Sequence, residues 1–166
     1  IMGGLMLSET VALVPLFGIM RSLGLYNTLP GIIILYTAFR IPFTTFLIRS
    51  YMIDLPTELG DAAIVDGASL WQMFWRVTMP LCYPILISAA ILQALFSWNE
   101  FVFALVFIKD DALKTMPIGL MALQSKLTTN WPVVFAGLTI SAIPMVLAFL
   151  FGQRHFVRGI TEGLGK

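Results

Sequence analysis

The sequence predicts an all-α fold: a polytopic bundle of transmembrane helices. The first observation behind this is composition. Of 166 residues, 58% are hydrophobic and 11% charged, with a mean hydropathy of +0.90, whereas soluble domains carry roughly 25% charged residues. The second is that the apolar residues fall into four runs, each near the roughly 20 residues a helix needs to cross a hydrocarbon core about 30 Å thick. The third is a charged, helix-prone segment, residues 56–80, set between the second and third runs.

Taken in order, the first predicted span covers residues 1–20, interrupted by Ser8-Glu9-Thr10 and kinked at Pro15. Residues 21–30 form a short polar turn with Gly24, Asn27 and Pro30 as breakers. The second span is 31–52, with Arg40-Ile41-Pro42 near its middle, and the third is 81–108, interrupted by Gln93 and by Ser97-Trp98-Asn99-Glu100. Residues 109–131 are a loop kept in water by Lys109, Asp110, Asp111, Lys114, Lys126 and Asn130. The fourth span is 132–153, broken by Pro144, and a tail, RHFVRGITEGLGK, follows it. Four crossings put segment 56–80 on the same side as both chain ends. The positive-inside count is weak: Arg49, Arg76, Arg154, Arg158 and Lys166 on that side, against Arg21, Lys109, Lys114 and Lys126 on the other.

Segment 56–80 reads as two short helices around a break at Asp66-Gly67-Ala68. Glu58 and Asp61 are expected in the opening turn of the first helix, where its dipole favours anions. Gly60 weakens that helix by roughly 0.5–1 kcal/mol relative to Ala. The second helix opens with a capping box, Ser69 with Gln72. Within it Leu70, Phe74 and Val77 form one apolar stripe and Trp71 with Trp75 a second, and Pro80 is expected to end the segment. A solvated linker needs no such order, so the loop is expected to be gripped by something. The tryptophans suit either a partner surface or an aromatic belt at the membrane interface.

These residues carry a resemblance. Asp61-Ala62-Ala63, Asp66-Gly67-Ala68, Phe74 and Met79-Pro80 resemble the "EAA" loop of ABC-importer permeases, the membrane subunits of binding-protein-dependent transporters. There the loop is the coupling helix that docks into a cleft of the cytoplasmic ATPase; the family usually has Glu where this chain has Asp61. Leu23-Gly24-Leu25-Tyr26-Asn27-Thr28, Ser97-Trp98-Asn99-Glu100-Phe101, and Gln153-Arg154 with Arg158-Gly159 are similar to the carbohydrate-uptake, maltose-type branch. The resemblance implies one permease transmembrane domain over residues 1–166, matching the last four of six spans, with an N-terminal part missing. It implies a multi-pass protein of the cytoplasmic (inner) membrane. Its partners would be a second permease subunit, an ATPase dimer, an extracytoplasmic solute-binding protein and membrane lipid. The coupling loop would use Glu58, Asp61, Ala62, Ala63, Asp66, Gly67, Ala68, Phe74 and Pro80. The tail would touch the ATPase through Gln153, Arg154, Arg158, Gly159 and Gly163. The implied activity is alternating-access import of a sugar, or of a non-sugar solute.

The remaining polar residues admit two readings each. Glu9, Arg40, Asn99 and Glu100 lie at or near membrane depth, where an ionisable group is costly unless paired or wet. They either line or gate a pathway or form structural pairs. His155, the sole histidine, sits between Arg154 and Arg158 at a span end, which suits a solvated or headgroup-facing role.

No catalytic residue is expected. One Cys and one His make a metal site improbable, and a net charge of +1 argues against a nucleic-acid partner. The tail ends Gly163-Leu164-Gly165-Lys166, but Ile160 stands where a phosphate-binding loop needs its first Gly and no Ser or Thr follows. This chain is therefore expected to bind no cofactor, with ATP and magnesium held by a partner ATPase. Two rival classes are an intramembrane hydrolase, which wants a nucleophile and base inside the bilayer, and a secondary transporter, which often shows inverted repeats. Neither feature is visible, and the energy source for transport, ATP or an ion gradient, separates the classes.

Overall fold

The computed structural model describes residues 2–123 and 130–161, with side chains for 3–123 and 130–150. The described residues are helical throughout: α1 (Met2–Leu5), α2 (Glu9–Ser22), α3 (Leu29–Ile53), α4 (Thr57–Val65), α5 (Leu70–Met73), α6 (Met79–Asn99), α7 (Val102–Phe107), α8 (Met116–Ala122) and α9 (Trp131–Thr161). A π turn, Phe74–Thr78, joins α5 to α6, and a 3₁₀ turn, Asp111–Leu113, precedes α8.

Among the described residues, three helices are long and apolar enough to cross a membrane: Leu29–Ile53, Leu70–Asn99 and Trp131–Leu150. The first predicted span is corrected. Its chain breaks at Ser8, the extended residue before α2, and the 14 residues of α2 rise only about 21 Å. The parity that tied the chain's start to segment 56–80 goes with it; the three described spans put the end of α9 on that segment's side. The third span is also corrected, beginning further back at Leu70 and stopping at Asn99. Glu100 is extended, so Ser97-Trp98-Asn99-Glu100 marks a helix end rather than an interruption. The fourth span holds, and its helix runs on through Thr161.

The bundle is organised by α6, which packs against α3 on one side and α9 on the other. Ties across these seams are few and specific: Trp98 Nε1–H donates to the Ser141 carbonyl at 3.2 Å, and the Tyr51 hydroxyl to the Leu81 carbonyl at 3.3 Å. Most of the surface of α9 over Trp131–Leu150 is left exposed, which in a bilayer suits lipid or a neighbouring helix. A tight core closes the end of the bundle opposite segment 56–80. Met20, Ile32, Leu35, Phe103, Ala104, Phe107, Ile108 and Ile118 bury one another there.

The polar turn 23–28 locks that core. Asn27 adopts a left-handed backbone (φ 58), a conformation Asn tolerates better than most residues. Its Oδ1 accepts from the Lys109 and Asp110 N–H groups at 2.8 and 2.9 Å, while its own N–H donates to the Phe107 carbonyl at 3.0 Å. A Cβ on Gly31 would meet the Leu25 carbonyl oxygen at 2.1 Å, so only Gly lets the turn fold back on α3. Outside the membrane, Lys114 bonds Asp111 and holds its carboxyl below the usual range.

Candidate functional site

The loop between the first two long helices is a capped two-helix hairpin. α4, which starts at Thr57, carries Glu58 in its first turn; Asp61, expected there too, falls one turn later. It ends in a Schellman motif: the Ala68 N–H donates to the Ala63 carbonyl and the Gly67 N–H to the Ile64 carbonyl, both at 2.9 Å. Gly67 sits at φ +80, a region costly for any residue with a Cβ. Ser69 then opens α5 with the expected capping box. The Gln72 N–H donates to Ser69 Oγ at 3.3 Å, and the Ser69 N–H to Gln72 Oε1 at 2.9 Å. The break therefore falls where the sequence places it, at Asp66-Gly67-Ala68.

The second half of the loop differs from expectation. Pro80 does not end a helix, because α5, the π turn and α6 run as one rod from Leu70 to Asn99. Pro80 has no N–H to give the Arg76 carbonyl, and the π turn widens the helix just before it, with the Met79 N–H reaching Phe74 O. The predicted stripes are only half realised. Phe74 and Val77 are half-buried, but Leu70 is 73% exposed. Trp71 and Trp75 are exposed, packed edge to face at 5.7 Å, with Phe74 against both.

The hairpin presents a defined face. Glu58, Asp61, Ala62, Asp66 and Gly67 are exposed, and Ala63 and Ala68 are half-buried. Beneath α4, a cleft of about 290 Å³ separates it from the ends of α3 and α6, lined by Leu55, Leu59, Ile64 and Met73 among others. A small-residue rim flanked by acids, held off the spans by stiff caps, is a shape that a second protein can grip.

Within the membrane, the four singled-out residues do not form one site. Glu9 and Arg40 meet as an ion pair at 3.4 Å, and the guanidinium also lies over the Phe96 ring at 4.8 Å. Glu100 is buried and fully engaged: Oε1 accepts from the Phe103 N–H at 2.8 Å, and Oε2 from the Ala104 N–H at 3.1 Å and the Tyr36 hydroxyl at 2.7 Å. It anchors the start of α7 and ties it to α3. Asn99 is apart from both, exposed, donating to its own helix at the Leu95 carbonyl (2.8 Å) and touching Met145 Sδ at 3.8 Å. Sequence reasoning missed Tyr36, Thr44 and the partner role of Gln93, whose Nε2 donates to Thr44 Oγ1 at 2.9 Å. The signal was there, since all three are polar groups inside apolar runs. The side chains of Gln153, Arg154, Arg158 and Gly159, and the whole of Gly163, lie outside the described residues.

Residues 5–162 match the family described as binding-protein-dependent transport system inner membrane component. The chain belongs to that family. Among its relatives, "Probable ABC transporter permease protein YurM" of Bacillus subtilis is 51% identical over 99% of this chain and 55% of its own length. The arabinooligosaccharides transport system permease protein AraQ of Halalkalibacterium halodurans is 38% identical over 96% of this chain and 56% of that protein. A solved structure, a bacterial ABC transporter involved in importing the acidic polysaccharide alginate, superposes with a TM-score of 0.70 at 28% identity. It covers 86% of this chain and 55% of the chain it matches. The chain thus spans about half the length of the curated relatives it matches. Membership makes it an inner-membrane transport component, as the apolar spans require.

Proposed function

We propose that this chain is part of the permease subunit of an ATP-driven ABC importer, and that it helps form the pathway by which a sugar or related carbohydrate crosses the cytoplasmic membrane. The observation that carries the reading is the hairpin: a stiff, double-capped, exposed structure continuous with a 30-residue span. A force applied at Asp61 to Ala68 has a rigid path into the bilayer through α6. ATP hydrolysis belongs to a separate ATPase dimer, whose closure pulls the hairpin and tilts the spans between inward- and outward-open forms. A second permease subunit completes the pathway, and an extracytoplasmic binding protein delivers the solute. Carbohydrate is favoured as cargo by the relatives, which include arabinooligosaccharide and diacetylchitobiose permeases.

The test uses the full-length permease with its partners in proteoliposomes, following uptake of arabinotriose and diacetylchitobiose. Uptake is expected to need ATP and no ion gradient. Gly67→Pro, which removes an N–H used in the cap, and Ala63→Trp, which adds bulk to the gripped face, are each expected to abolish it while leaving the permease in the membrane. Normal transport by either variant refutes the docking role; gradient-driven uptake without ATP refutes the importer class.

A further inference from the structure

One cleft inside the membrane is not used by anything described so far. It lies between α3 and α6, about 360 Å³ in volume, lined by Tyr36, Thr37, Arg40, Thr44, Gln93 and Ser97 together with isoleucine and threonine neighbours. That volume sits at the small end of ligand-holding clefts, roughly 300–1,000 Å³. Its lining is unusual for the middle of two spans, where polar side chains are costly and tend to mark a function.

The hydrogen-bonding state of these groups indicates what they would take. The Thr37 hydroxyl donates to the Ile33 carbonyl at 2.7 Å, and the Thr44 hydroxyl to the Arg40 carbonyl at 2.8 Å. Each thus spends its proton on its own helix and keeps lone pairs for a donor. The Tyr36 proton is spent on Glu100. Gln93 donates one N–H to Thr44, while its Oε1 is buried with no partner, an arrangement costly to maintain for packing alone. The cleft therefore sets the free acceptors of Gln93 and Thr37 beside the N–H donors of Arg40, a combination that a hydroxyl, donor and acceptor at once, can satisfy.

Charge narrows the ligand class further. Arg40 lines the cleft, and its pairing with Glu9 at 3.4 Å leaves no net charge there, so neither a cation nor an anion is drawn in by charge. What remains is an uncharged molecule with many O–H donors. We infer that the α3–α6 cleft is a hydroxyl-binding subsite for a neutral saccharide on its way across the membrane, with Gln93 and Thr44 as its central acceptors. The inference rests on the importer reading above and adds to it a place and a selectivity.

The experiment places cysteine at the subsite in the full-length permease, assembled with its partners in proteoliposomes and carrying Cys82→Ala. Thr45→Cys and Ser97→Cys, which line the cleft without being its central acceptors, are made separately, with Ala112→Cys as an exposed loop control. Each is treated with a trimethylammonium methanethiosulfonate during turnover, with arabinotriose, diacetylchitobiose or the acidic sugar digalacturonate supplied on the binding protein. Both subsite thiols are expected to react, and a neutral sugar that is taken up is expected to slow them about tenfold, the protection reached near ten times its Kd. Labelling of position 112 with neither subsite thiol reacting overturns the proposal, because the cleft is then dry. Reaction that no sugar slows overturns it as well, leaving a water-filled gap only, and so does protection by digalacturonate alone. Failure of the unaltered complex to take up any of the three with ATP is a different result: it removes the importer-of-sugars reading, and the subsite's ligand with it.

Discussion

Glu100 illustrates how a single carboxylate settles into a membrane protein. It accepts two backbone N–H groups at the start of α7 and the hydroxyl of Tyr36, so its charge is spread over three donors where the chain turns. Glu100→Ala strands those donors, at a cost on the order of 2–4 kcal/mol. Glu100→Gln keeps an acceptor for the backbone and should recover most of the loss. Thermal unfolding of the purified complex checks this; equal melting of the Ala variant and the unaltered protein contradicts the anchoring role. The Glu9–Arg40 pair makes a different demand. Arg40 stands midway along α3 with Phe96 beneath it, and removing Glu9 alone leaves that cation unmatched. Because 38% of the Glu9 side chain is exposed, the coupling is discounted to about 1 kcal/mol. In the same unfolding measurement, the double change to Ala should cost about 1 kcal/mol less than the sum of the two single changes. Strictly additive losses would show that the two residues are neighbours without being partners.

At the scale of elements, the joint between α5 and α6 sets how the hairpin is oriented on the span. A π turn inserts one residue and so rotates everything before it by about 100° relative to a regular helix. It sits just before Pro80, which has no N–H to offer the Arg76 carbonyl. Pro80→Ala restores that donor and is expected to let residues 74–78 tighten to α geometry. Trp71 and Trp75 would then swing away from their present side. Tryptophan quenching and amide exchange over 74–81 should both change, and uptake should fall with insertion intact. Unaltered quenching and exchange would mean that the π turn is set by packing rather than by the proline. Sequence alone could place the hairpin's break, since Gly67 and the Ser69-Gln72 box act locally. It could not tell that Pro80 continues a helix, because a proline reads as a stop unless the widened turn before it is seen.

For the whole molecule, the same contrast between local and distant effects explains what was legible. The two apolar runs of α3 and α9 showed their spans directly, while the short α2 did not. The interruption at Ser8-Glu9-Thr10 was visible, but hydropathy counts apolar residues across it and does not show that the helix ends there. The candidate pathway residues were readable as polar groups in apolar runs, but their pairing across α2, α3 and α7 depends on contacts far apart in sequence. The tail is where the long-range organisation can be tested. α9 continues as helix to Thr161, and with three crossings it emerges on the side of the coupling hairpin. Apolar Phe156, Val157, Ile160 and Leu164 recur there at near-helical spacing among Gly159, Gly163 and Gly165, a pattern suited to packing and close backbone approach. We propose that this end makes a second contact with the ATPase beside the hairpin. The rival is a membrane-surface anchor, in which Arg154, Arg158 and Lys166 hold anionic headgroups. Deletion of residues 159–166 in the full-length permease distinguishes them. An anchor leaves ATP hydrolysis stimulated normally by solute-loaded binding protein. A contact predicts that stimulation drops sharply although the complex is intact and correctly inserted, because the hairpin then transmits the signal with only one of its two footholds on the ATPase.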